Sequence, residues 1–153
     1  MLKKIKVYIS DFSKESTETI NEEEERDIIN SACAALLIET ALADKVFNEE
    51  EMESMKKTLR EVYGINEENL EELINESKEK VSESTSLYEY TRLINDLCKY
   101  EDKLRLIINL WTIAYSDNQL DKYEEHLIRK ISDLLHINHS DFIQQKLKAK
   151  ESS

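Results

Sequence analysis

The chain contains no proline and a single glycine, Gly64, in 153 residues. These are the residues that end or kink helices most strongly, with penalties of about 3 and about 1 kcal/mol relative to alanine in a helix interior. A chain this poor in both, and rich in Glu, Lys, Leu and Ile, is predicted to be all-α. At this length it suits one domain, residues 1–153, and a chain of that size buries roughly 68–70% of the surface it exposes when unfolded.

The spacing of apolar residues divides the chain into about eight helices. Leu2, Ile5, Ile9 and Phe12 fall at i, i+3, i+7 and i+10, so residues 1–13 read as a short amphipathic docking helix. The second helix, about 20 to 43, opens on Glu22 to Glu25, where the macrodipole favours acids, and continues through an Ala, Leu and Ile run expected to be buried on most sides. The third, about 49 to 63, places Met52, Met55, Leu59 and Val62 on one face and stops at Gly64, the residue suited to a left-handed cap. The fourth, about 67 to 82, carries Leu70, Leu73, Ile74 and Val81 ahead of the polar linker Ser82 to Ser86.

A fifth helix, about 87 to 98, carries Leu87, Tyr90, Ile94 and Leu97 and breaks near Lys99 or Tyr100. Leu104, Ile107, Ile108, Trp111 and Tyr115 mark the sixth, with Trp111 as its aromatic anchor. The seventh, about 122 to 136, carries Leu127, Ile128, Ile131, Leu134 and Leu135, and the eighth, about 140 to 149, carries Phe142, Ile143 and Leu147.

Shifting the chain on itself by 73 positions lays Ala34 on Ile107, Leu37 on Leu110, Ile38 on Trp111, Ala41 on Ala114, Asp44 on Asp117, Asn48 on Asp121, Glu51 on Glu124 and Met55 on Ile128. After one deleted residue, Ile65 meets Ile137, Asn66 meets Asn138 and Leu70 meets Phe142. Residues 20–82 are therefore expected to repeat as 101–149, with 87–98 connecting them. Two units are too few for a stacked solenoid, so a closed bundle about a pseudo-two-fold axis is expected.

The repeat makes two acidic interhelical loops equivalent: Asp44-Lys-Val-Phe-Asn48-Glu-Glu-Glu51 and Asp117-Asn-Gln-Leu-Asp121-Lys-Tyr-Glu124. Asn48 with Glu51, and Asp121 with Glu124, have the spacing of an N-cap and its N3 partner, a capping-box variant. Capping leaves Asp44 and Asp117 unexplained, because each sits at the C-terminal end of a helix, where the macrodipole disfavours a carboxylate. One account is an Asx turn that satisfies loop amides. The other is cationic: carboxylates and loop carbonyls are the hard oxygens that Ca²⁺ or Mg²⁺ prefers, although the twelve-residue EF-hand loop is absent. Lys45 beside Asp44 weakens the first loop, whereas Asn118 tolerates a left-handed turn and Asp121 adds an oxygen, so the second ranks ahead.

Other chemistry finds little support. His136 and His139, with Asp133 a turn earlier, sit where the chain leaves one helix for another, and positions near a helix C-terminus favour histidine without a ligand role. His126 is an isolated helical histidine. Cys33 and Cys98 fall in apolar helical runs and read as reduced core thiols. No phosphate-binding, nucleophile-elbow or zincin motif occurs, so no enzymatic role is expected. The net charge of −12 argues against nucleic acid and anionic membranes, because Lys3, Lys4 and Lys6, and Lys146, Lys148 and Lys150, form only small terminal clusters. Without a signal peptide or an apolar span of about 18 residues, a cytoplasmic location and no membrane insertion are expected.

The runs TALADKVFNEEE, YEYTRLINDL and LWTIAYSDNQLDKYEEHLIRKISDLLHINHSDFIQQKL resemble the TerB family of tellurite-resistance-like bacterial proteins, over about residues 30 to 148. The resemblance implies an all-α cytoplasmic domain whose duplicated acidic loops take divalent metal, in stress-associated systems with membrane-protein or chaperone-associated partners. It implies no established reaction. The family's Ala-Asp-Gly, followed by an acid opening the next helix, maps onto Asp44 with Glu51 and Asp117 with Glu124, with Lys45 and Asn118 standing where the glycine would be. The expected function is a non-enzymatic module binding Ca²⁺ or Mg²⁺ through Asp117, Asp121 and Glu124, then Asp44 and Glu51. The alternative is a metal-free acidic adaptor that recruits a basic partner or a membrane-protein tail.

Overall fold

The computed structural model describes residues 22–42, 49–79, 86–116 and 122–152, and among them every regular element is a helix. They are α1 (Glu22–Leu42), α2 (Glu49–Glu61), α3 (Glu67–Glu79), α4 (Ser86–Leu97), α5 (Tyr100–Ala114), α6 (Lys122–Leu134) and α7 (His139–Ser152). These match the second to eighth helices of the sequence reading. The docking helix expected over residues 1–13 lies outside the described residues.

The bundle is built around α1, which packs against α2, α3, α4, α5 and α6. Every residue from Ser31 to Ile38 is buried, as befits a helix that is apolar on all sides and must be enclosed. Ser31 and Thr40 stay buried because their hydroxyls donate to carbonyls one turn back, Ser31 to Asp27 and Thr40 to Leu36, both at 2.7 Å. The second focus is the pairing of α5 with α7 around Trp111, which is fully buried. Its ring lies 5.5 Å from that of Phe142 and is stacked 5.9 Å from that of Tyr115.

Residues paired by the 73-position shift share their burial: Ala34 and Ile107, Leu37 and Leu110, Ile38 and Trp111, Ala41 and Ala114, and Met55 and Ile128 are all core. The helices paired by the shift also pack crosswise, α1 on α6 and α2 on α5. The turns after α2 and α6 share two features. Gly64 (φ 64°) closes α2 and His136 (φ 59°) closes α6, both left-handed. Behind them the Asn66 Oδ1 accepts the Asn69 amide at 2.8 Å and the Asn138 Oδ1 accepts the Asp141 amide at 3.0 Å, so each asparagine caps the next helix.

Three sequence expectations need correction. Val62, assigned to the buried face of its helix, follows the last residue of α2 and is 46% exposed, while Tyr63 takes the buried place. Leu147 is 54% exposed, because the buried stripe of α7 runs Phe142, Gln145, Ala149 at i, i+3 and i+7, and that register turns Leu147 outward. Cys98 is only partly buried, whereas Cys33 is buried as expected.

The left-handed turn at Gly64 supports a direct test. A Cβ placed there meets no heavy atom within 4 Å, so Gly64→Ala should cost only the backbone strain of a left-handed L-residue, about 1–2 kcal/mol in urea unfolding. Gly64→Asn should recover part of that loss, since asparagine visits this region more readily. Equal stability of all three proteins would mean that the turn adopts another conformation.

Candidate metal centre

Each acidic loop runs from the end of a long buried helix to the first turn of a shorter one. Of the five candidate ligands, Asp44, Asp117 and Asp121 lie outside the described residues, and Glu51 and Glu124 lie within them. Glu51 is the third residue of α2 and Glu124 the third of α6, and both are 2% exposed. Helical geometry explains why this position is the buried one. Glu51, Met55 and Leu59 recur at i, i+4 and i+8, and Glu124, Ile128 and Ile131 at i, i+4 and i+7, so each glutamate heads the stripe that faces the core. Its neighbours Glu49 and Glu50, or Lys122 and Tyr123, face outward. The amides and positive dipole end of a helix N-terminus make this the least unfavourable place to bury a carboxylate.

The helix ends that flank the second loop are held by described side chains. The amide of Tyr115 donates to the Trp111 carbonyl at 2.9 Å, and the amide and hydroxyl of Ser116 donate to the Ile113 carbonyl at 3.2 and 2.7 Å, which closes α5 just before Asp117. On the other side, the Lys146 Nζ of α7 pairs with the Glu125 Oε1 at 2.7 Å and lies 5.1 Å above the Trp111 ring. One ammonium thus ties the acidic first turn of α6 to α5 and α7.

The family model described as tellurite resistance protein TerB matches residues 30–147, well over half of the chain. The chain belongs to the TerB family. No curated protein and no solved structure matches it. The matched span of this TerB chain begins within α1, ends within α7 and encloses both acidic loops.

Among the described residues of the TerB chain, no three His, Cys, Asp or Glu side chains come together as a group that could hold a metal ion. A complete centre therefore needs donors from residues 43–48 or 117–121. His136 is exposed in its left-handed turn, and His139 is exposed with its ring 6.2 Å from that of Phe142. No described helix is long and apolar enough to cross a membrane.

The sequence reading did not anticipate the Lys146 bridge, because a separation of 21 positions between Lys146 and Glu125 leaves no local signature. Burial of the two glutamates was available to it, in their i, i+4 spacing to Met55 and Ile128. The left-handed His136 was available too, since the register that pairs Ile65 with Ile137 pairs Gly64 with His136.

Proposed function

We propose that this TerB chain is a non-enzymatic, cytoplasmic module that binds divalent cations of the Ca²⁺ or Mg²⁺ type at two equivalent interhelical loops. The observation that carries the reading is the matched burial of Glu51 and Glu124 at the third position of α2 and α6. Taking a carboxylate out of water is costly unless it is compensated. Helix amides favour a carboxylate at this position, and a cation shared with the loop acids Asp44, or Asp117 and Asp121, would favour it further. The donors are all hard oxygens, which suits Ca²⁺ and Mg²⁺ over thiophilic metals.

The equivalence of the loops rests on a duplication. Shared burial, the paired left-handed turns, the paired asparagine caps and the reciprocal packing of α1 on α6 and α2 on α5 favour two units about a pseudo-two-fold axis. Asp121 adds a carboxylate to the second loop where Asn48 offers an amide, so the second site should be the tighter. Cation loading would then set the surface offered to a protein partner, whether a membrane protein or a chaperone-associated one.

Calorimetric titration of chelator-treated protein with Ca²⁺ and Mg²⁺ should show saturable binding that Asp117→Ala abolishes at the second loop. A hundredfold excess of cation over its dissociation constant should stabilise the fold by about 2.7 kcal/mol. No binding from micromolar to low-millimolar cation would overturn the reading. The glutamates would then act as capping-box partners only, in a metal-free acidic adaptor whose charge of −12 recruits a basic segment.

A further inference from the structure

A groove of about 680 Å³ opens between the start of α1, the turn after α2 and the start of α5. Its wall is apolar where Ile29, Val62 and Tyr63 meet, and Val62 is the exposed member of the three. Glu22, the first residue of α1, lies on its rim, so the preceding 21 residues enter the described fold at the groove itself. We propose that the N-terminal segment, residues 2–12, docks into this groove as an amphipathic helix.

Three arguments select that occupant. Leu2, Ile5, Ile9 and Phe12 form one apolar stripe, and a helix this short is marginal in water unless the stripe is packed against a partner surface. The nine residues 13–21 span at most about 30 Å when extended, enough to turn back onto the rim yet short enough to hold the segment at roughly millimolar effective concentration. The rim carries both signs, Glu22, Glu25 and Asp102 with Arg26, Lys99 and Arg105, and the segment brings Lys3, Lys4 and Lys6 at one end and Asp11 at the other. A second copy or a foreign peptide has no such tether.

Hydrogen–deuterium exchange on the full chain tests this. Amides of residues 5–12 should exchange at least tenfold more slowly in the wild type than in Val62→Glu, while Val62→Leu should keep the protection. Because Val62 is exposed, neither substitution threatens the core. Ile9→Asp should in turn speed exchange around residues 62–65. Exchange of residues 2–12 at the rate of an unstructured chain, or protection indifferent to Val62→Glu, would overturn the proposal. Protection that rises with protein concentration would also overturn it, by assigning the groove to a second copy.

Discussion

Trp111→Ala should lower the free energy of unfolding by about 3–5 kcal/mol, a large share of the roughly 5–15 kcal/mol available to a domain of this kind. The indole is fully buried and touches three side chains at once: Tyr115 at the end of its own helix, and Phe142 and the Lys146 ammonium of α7. Removing it leaves a cavity between α5 and α7 and withdraws the surface on which Lys146 rests while it pairs with Glu125. Trp111→Phe separates the contributions. The Trp111 Nε1 finds no acceptor among the described residues, so phenylalanine forfeits packing volume but no hydrogen bond, and it should cost less than half as much. Urea unfolding of the three proteins, with the m-value held constant, is the measurement. A loss under about 1 kcal/mol for Trp111→Ala would mean that α7 does not depend on the indole.

The role of Trp111 was legible because a large aromatic amid Ile107, Ile108 and Leu110 has one sensible destination in an all-helical chain. Helix positions were legible for the same reason. With no proline and one glycine, the 3.6-residue apolar period is rarely interrupted, and Gly64 marks the one turn that composition announces. Periodicity could not say which of two candidate stripes faces inward. In α7 it offered Leu147, but the buried line includes Gln145 and the small Ala149, whose burial depends on the neighbouring helix. Val62 shows the other limit, since a residue on the projected apolar face changes sides when the helix ends one position before it.

At the candidate site, residue types and spacing singled out the two acidic loops, and the 73-position shift suggested that they are equivalent. The turn that ends α6 could be inferred only through the shift: His136 carries none of glycine's conformational signature, and its left-handed backbone follows from its register with Gly64. The brace from Lys146 is wholly tertiary. It exists because α7 folds back along α5, which brings residues distant in sequence against one acidic turn.

Raising the pH should unfold this domain over a narrow alkaline range. Burial lifts the ionisation of four groups above their ordinary values: the thiols of Cys33 and Cys98, ordinarily near 9, and the phenols of Tyr63 and Tyr90, ordinarily near 10. Cys98 is pushed up to about 11 and Cys33 well above its ordinary value. Around Tyr63 the hydrogen bond from the Asn109 Nδ2, at 3.1 Å, offsets only part of the effect of burial. Each group keeps its proton in the folded state at a pH where the unfolded chain has released it. Their stabilisation is therefore complete below the unfolded values and is lost as pH rises toward the folded ones, at about 1.4 kcal/mol per pH unit for a fully buried group inside its window and less for the partly exposed Cys98, where solvent screens the effect. From about pH 10 upward Cys33 and Tyr63 alone should remove about 3 kcal/mol per unit, and Tyr90 and Cys98 steepen the fall. Urea unfolding from pH 8 to 11 should show this slope, and tyrosinate absorbance from the buried phenols should appear only together with the loss of helix. A chain at −12 also repels itself more strongly in alkali, but added salt screens that repulsion and leaves burial untouched. A slope that persists in high salt and is reduced by Tyr63→Phe identifies buried protonated groups as its cause, and a slope that salt abolishes assigns it to surface charge instead.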